Sequence, residues 1–234
     1  MTSPSLIIAF YATAASAVLC SQASVPATPV LCGGHVDVML VADASSSVAD
    51  IHDEVNLFIE TLAHKLTLDA ANPASPRMGL VTFNGPPIGQ LEAFLESEAS
   101  QLVFSLTASA SLITTALADR SESTGTTCIS CGLLRAQQHL SQVKRSSAQG
   151  VVILLTDGAQ TVGGDDQTAI QYANRLVEDG HILITIGFGE ASRSIMEEMA
   201  SKPTATYALD AYRQTSEWPK HTLHLEPRRV VKLD

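Results

Sequence analysis

The chain has 234 residues, of which 45% are hydrophobic and only 16% charged: enough length for a substantial core, too little charge for a disordered chain or a coiled coil. Its 24 Asp and Glu outnumber 14 Lys and Arg, giving a net charge of −10 and a sequence pI near 5.0. No stretch collects enough basic side chains to neutralise phosphates or grip anionic lipid, so neither nucleic acid nor direct membrane binding is expected.

Leu6 to Cys20 is a charge-free apolar run, short for a membrane span and suited to the core of a secretory signal peptide. Ser21-Gln22-Ala23 supplies small residues for cleavage, so residues 1–23 are expected to leave a secreted chain with no transmembrane helix or lipid-anchor signal. Cys32, Cys128 and Cys131 then remain in an oxidising compartment, an odd number. Residues 24–33 form a Pro/Ala/Val-rich leader.

His35 to Ala42 is a short Val-rich apolar run and reads as a buried strand. The polar turn Asp43-Ala44-Ser45-Ser46-Ser47 follows. Val48, Ile51, Val55, Phe58, Ile59, Leu62 and Leu66 then recur by threes and fours, which predicts a helix capped by Ser46 or Ser47. Arg77 to Phe83 predicts a second strand, Asn84-Gly85-Pro86-Pro87 a turn, and Ile88 to Phe94 an edge strand. From Glu96 to about Arg120 the clusters Leu102-Val103-Leu106 and Leu112-Ile113-Ala116-Leu117 predict helix. Ser121 to Cys131 reads as a loop, and Leu133, Ala136, Leu140 and Val143 mark the next helix. Val151 to Thr156 and His181 to Phe188 are fully apolar strands on either side of a helix over Gln167–Asp179. A short helix over Ser192–Met199 and a strand over Ala205–Leu209 close the pattern.

Strands apolar on both faces, alternating with amphipathic helices, imply an α/β fold: a doubly wound, mostly parallel sheet between two helix layers. Ligands of such folds bind beyond the carboxyl ends of the strands, where Asp43 and Asp157 both fall. Asp43, Ser45 and Ser47 at i, i+2 and i+4 can converge one carboxylate and two hydroxyls on a point. Hard oxygen donors with few negative charges suit Mg²⁺.

Asp43-Ala44-Ser45-Ser46-Ser47 after VDVMLVAD resembles the D-x-S-x-S motif of the metal-ion-dependent adhesion site (MIDAS) in von Willebrand factor type A domains, which include the integrin I domains. VVILLTDGAQ is similar to the family's fourth strand, with Asp157 as its second acid. TTCISCGLLRA resembles its threonine segment, where Thr126 and Thr127 are adjacent and Thr127 is the better match. RMGLVTF and HILITIGFG match in order and spacing, so the likeness covers about residues 34–210. It implies a Rossmann-like three-layer domain in which Asp43, Ser45, Ser47, Thr127 and Asp157 hold Mg²⁺ or Mn²⁺. Two carboxylates and three hydroxyls leave such a metal short of ligands, and an Asp or Glu of an extracellular protein partner would complete it. The family's final amphipathic helix has no counterpart in residues 211–234, which read as an irregular tail.

Cys128 and Cys131 read as a local disulfide beside Thr127; a thioredoxin-like redox pair is the alternative, in which Asp43 and Asp157 have no role. Cys32 is placed like the family's flanking cysteine, but its partner beyond the final helix is absent from this sequence. His221 and His224 read as solvated surface residues. Catalytic signatures are missing: there is no G-x-S-x-G, no P-loop, and Gly187-Phe188-Gly189 lacks the third glycine of a dinucleotide loop. An aspartyl phosphatase would carry Asp where Ser45 stands. The resemblance therefore implies a non-enzymatic adhesion module. A metal-dependent hydrolase or phosphatase is the competing reading, and needs a general base that no His or Glu of the motif segments supplies. A fragment with a purely structural metal site is a third.

Overall fold

The computed structural model describes residues 35–87, 89, 98–120 and 123–202, together with the strands over 208–211 and 225–226. The signal peptide, the leader, Cys20, Cys32, the edge strand expected over 88–94 (Gly89 apart) and the tail histidines fall outside these residues.

The chain runs β1 (Val36–Asp43), a 3₁₀ turn (Ser46–Ile51), α1 (His52–Lys65), β2 (Arg77–Phe83), β3 (Ser100–Thr107), α2 (Ala110–Ala118) and α3 (Ile129–Val143). It continues with β4 (Gln149–Thr156), α4 (Asp166–Glu178), β5 (Ile182–Gly187), α5 (Arg193–Met199), β6 (Ala208–Ala211) and β7 (Leu225–Glu226). The strands form one seven-stranded sheet in the order β3-β2-β1-β4-β5-β6-β7. β2, β1, β4, β5 and β6 are parallel, while β3 and β7 are antiparallel edges.

β1 lies in the middle and explains the layering. Val38, Leu40 and Ala42 point to one face, into a core shared with Val55, Phe58, Ile59 and Leu62 of α1 and Ile113 and Leu117 of α2. Met39 and Val41 point to the other, packing with Ile129, Leu133, Ala136 and Leu140 of α3 and Ile170, Ala173 and Leu176 of α4. The period-two alternation of a strand thus feeds two cores at once, as expected of a doubly wound fold. Gly132 lets α3 lie close on the sheet: a Cβ there would stand 2.6 Å from Phe83 Cδ1 and 2.8 Å from Val41 Cγ1.

Two expectations need correction. The helix predicted from Glu96 to Arg120 is a strand followed by a helix, with β3 paired antiparallel to β2. Leu102 and Leu106 pack toward one core, Val103 and Phe104 toward the other, and the register shifts between Leu80 and Val81. An irregular strand apolar on both faces mimics helical spacing in the sequence. The cap of the 3₁₀ turn also differs: the residue before it is Ser45, and it makes no side-chain cap bond. In the segment after residue 210, Leu225–Glu226 joins the sheet as β7; two residues are too few to show a period.

Candidate metal centre

The strand order places the site. β1 is followed in the sheet by β2 on one side and β4 on the other, so the crossovers diverge between β1 and β4 and open a crevice at their carboxyl ends. Asp43 is the last residue of β1, and Asp157 follows directly on β4.

Asp43 is 1% exposed. One carboxylate oxygen accepts the Ser45 backbone N–H at 2.9 Å, and the other accepts the Thr156 hydroxyl at 2.7 Å. The Ser45 hydroxyl lies 3.0 Å from that of Ser47, which donates to Asp157 Oδ1 at 2.8 Å. Asp43, Ser45, Ser47 and Asp157 are therefore one connected cluster spanning the two strand ends. Ser45, Thr156 and Asp157 are buried, while Ser47 is exposed at the mouth.

Thr127 is buried in the loop ahead of α3 and is held through its backbone; among the described residues no hydrogen bond joins its hydroxyl to the Asp43–Asp157 cluster. Its N–H donates to the Thr161 hydroxyl at 2.9 Å, and its carbonyl accepts the Thr161 and Val162 N–H groups at 2.9 and 3.2 Å. The same loop is tied to the β1 turn: Thr124 N–H donates to Ala44 O at 2.8 Å, and Ser46 N–H to Gly125 O at 3.0 Å. Gly125 has φ +79°, and a Cβ on it would stand 1.9 Å from Gly85 O, so this position needs glycine. The neighbouring Thr126 hydroxyl donates to Pro86 O at 2.8 Å. At the start of α3, the Cys128 and Cys131 sulfurs lie at bonding distance with Cα atoms 5.3 Å apart; both residues are buried against Ala99 and Val162.

The sequence pattern does not single out Thr156, although it stands beside Asp157 in the same motif. Gln160 was also missed: its Oε1 accepts the Ser130 N–H at 2.7 Å in the first turn of α3. Neither residue belongs to a pattern that periodicity can flag.

Burial pushes the Asp43 carboxyl up to about 6; hydrogen bonds from Ser45 and Thr156 oppose the rise, and the nearby Asp157 charge adds to it. Among the described residues this carboxylate is bonded to hydroxyl and amide donors only, which lack the full positive charge that such burial calls for. Among the described residues no three His, Cys, Asp or Glu side chains cluster as a metal cage, so the available chemistry is two carboxylates plus hydroxyls. That hard-oxygen set fits Mg²⁺ or Mn²⁺ and leaves room for outside ligands.

The family model for the von Willebrand factor type A domain matches residues 37–220. The chain belongs to that family. This VWA domain is similar to the proximal thread matrix protein 1 of the mussel byssus with a zinc occupied MIDAS motif, at 26% identity and a TM-score of 0.62. The match covers 77% of this chain and 42% of the mussel protein, so the chain spans less than half that relative's length. Its fold is also similar to the manganese-loaded TRAP protein of Plasmodium vivax (21% identity, TM-score 0.57, covering 77% of this chain and 70% of that one). The pilus adhesin SpaC from Lactobacillus rhamnosus GG, in its open conformation, shares the fold at 17% identity and a TM-score of 0.57, over 77% of this chain and 28% of that one. A comparison with curated proteins gives no match. Two of these relatives carry divalent metal, zinc in one and manganese in the other. Among the described residues of this VWA domain, no helix is long and apolar enough to cross a membrane.

Proposed function

We propose that this VWA domain is a secreted adhesion module that binds a protein partner through a divalent cation held by Asp43, Ser45, Ser47, Thr127 and Asp157. The observation that carries the reading is the buried Asp43, joined through Ser45 and Ser47 to Asp157 at the sheet's switch point, with only neutral donors among the described residues in hydrogen bonds to it. The mussel relative with zinc in its MIDAS motif supports the same use of these positions. Mg²⁺ or Mn²⁺ is the expected metal, because oxygen donors without His or Cys favour hard cations. An Asp or Glu of the partner fills the remaining coordination position, which lets an acidic domain hold an acidic ligand. A disulfide between Cys128 and Cys131 fits secretion and holds the start of α3 behind Thr127. The domain runs over residues 34–210, after a signal peptide over 1–23, and it is a binder and not a catalyst.

Water-proton relaxation tests the carboxylate step. When the Mn²⁺-loaded chain is titrated with N-acetylglutamate amide, relaxation enhancement is expected to fall as the carboxylate replaces metal-bound water. N-acetylglutamine amide is the control and is expected to leave it unchanged. Equal responses to both probes would remove the carboxylate from the reading.

A further inference from the structure

Arg120, just beyond α2, is a cation with few partners. Its Nη1 donates to Asn56 Oδ1 of α1 at 2.6 Å, while Nε and Nη2 are buried without a hydrogen-bond partner among the described residues. Buried N–H groups left unbonded are costly, more so on a charged group. Arg77 and Arg145, by contrast, each turn two guanidinium nitrogens onto Asp37.

The surroundings of Arg120 indicate what its charge is for. It lines a cleft of about 240 Å³ together with Ala44, the residue between Asp43 and Ser45, and Thr124, whose N–H holds the Ala44 carbonyl. It also lines a larger groove of about 570 Å³ against α2. Burial pulls the Arg120 guanidinium down to about 10, and the negative charge of Asp43 pulls the other way. Glu98, on the 240 Å³ cleft, is exposed, so water screens it more than the buried Asp43.

We propose that Arg120 is a resident counter-cation of the metal centre: without metal its charge offsets the buried Asp43, and it opposes the entry of a divalent cation, so it sets the affinity of the site. The proposal rests on the metal-binding reading above. Coulomb repulsion between a guanidinium and a divalent ion is screened less where the guanidinium nitrogens are shielded from water, as Nε and Nη2 of Arg120 are. By linkage the effect is reciprocal: bound metal weakens the hold on Arg120, in the cleft that Ala44 also lines.

Calorimetric titration of the full chain with Mn²⁺ tests this, comparing wild type with Arg120→Met, which keeps the apolar stem, and Arg120→Lys, which keeps the charge. Arg120→Met is expected to bind Mn²⁺ about tenfold more tightly, and Arg120→Lys within about threefold of wild type. Arg120→Gln serves if Arg120→Met does not fold. Thermal melts in EDTA add a double-mutant cycle with Asp43→Asn, in which the double variant is expected to lose less than the sum of the two singles. Neutral variants that bind Mn²⁺ no more tightly than wild type, or a strictly additive cycle, overturn the proposal and leave the metal site standing. Absence of Mn²⁺ binding in every chain overturns both; binding that emerges only in the neutral variants supports the proposal.

Discussion

Two aspartates stand at opposite ends of β1, six positions apart in the numbering and both buried, and they meet opposite fates. Asp37 sits at the entry of the strand, where Arg77 from β2 and Arg145 from the loop after α3 hold its two oxygens at 2.6 to 3.1 Å. Burial alone raises its pKa, but the bonds from the two arginines prevail and hold it below the usual carboxylate value. Asp43 sits at the exit with hydrogen bonds, among the described residues, from Ser45 and Thr156, and burial prevails, lifting it to about 6. The protein compensates one buried charge with its own side chains and leaves the other under-compensated. The under-compensated one stands at the switch point, the place where the proposed function puts a cation. On the proposed function, that is the difference between a structural ion pair and a metal site built from the same residue type on the same strand.

The largest expected effect lies at the Asp37 end. Asp37→Asn strands two arginine head groups that are mostly buried, and urea denaturation should show a loss of about 3–5 kcal/mol. Asp37 contributes stability above the unfolded carboxylate pKa and loses it as pH falls through its depressed folded value.

Asp43 carries the opposite sign. Between the unfolded value of 3.8 and the folded value of about 6, the native state keeps a proton that the unfolded state has released, so stability of the metal-free chain falls as pH rises through that window. The full penalty, present above pH 6, is on the order of 3 kcal/mol. Asp43→Asn in EDTA should flatten the fall in denaturation midpoint between pH 4 and 6; an unchanged slope would show that Asp43 is not its source.

Mn²⁺ sharpens the contrast further. At a hundredfold excess over its Kd, a single metal site adds about 2.7 kcal/mol of stability, expected in wild type and absent in Asp43→Asn. The smallest effect is at the mouth. Ser47→Ala removes one exposed hydroxyl from Asp157, so melts in EDTA should change by about 1 kcal/mol or less while the Mn²⁺ affinity drops.

The sequence carried most of the parallel sheet because β1, β2, β4 and β5 are continuous apolar runs and the helices between them keep a clean 3.6-residue period. β3 was illegible because its apolar residues serve both cores, and β7 because it is two residues long. Asp43, Ser45, Ser47 and Asp157 were legible because they fall at strand ends and stand in a fixed motif. Thr156 and Arg120 were not. One is a hydroxyl at the end of an apolar strand, the other a lone charge after a helix; packing sets Thr156 on Asp43 and Arg120 on the cleft that Ala44 lines.

The most direct test of the central claim is calorimetric titration of Mn²⁺ into the wild-type chain and into Asp43→Asn, each checked for its fold by circular dichroism. The expected result is one site in the wild-type chain and none in the variant. A wild-type chain that takes up no Mn²⁺, or an Asp43→Asn chain that binds it equally well, would contradict the assignment of this crevice as a metal centre.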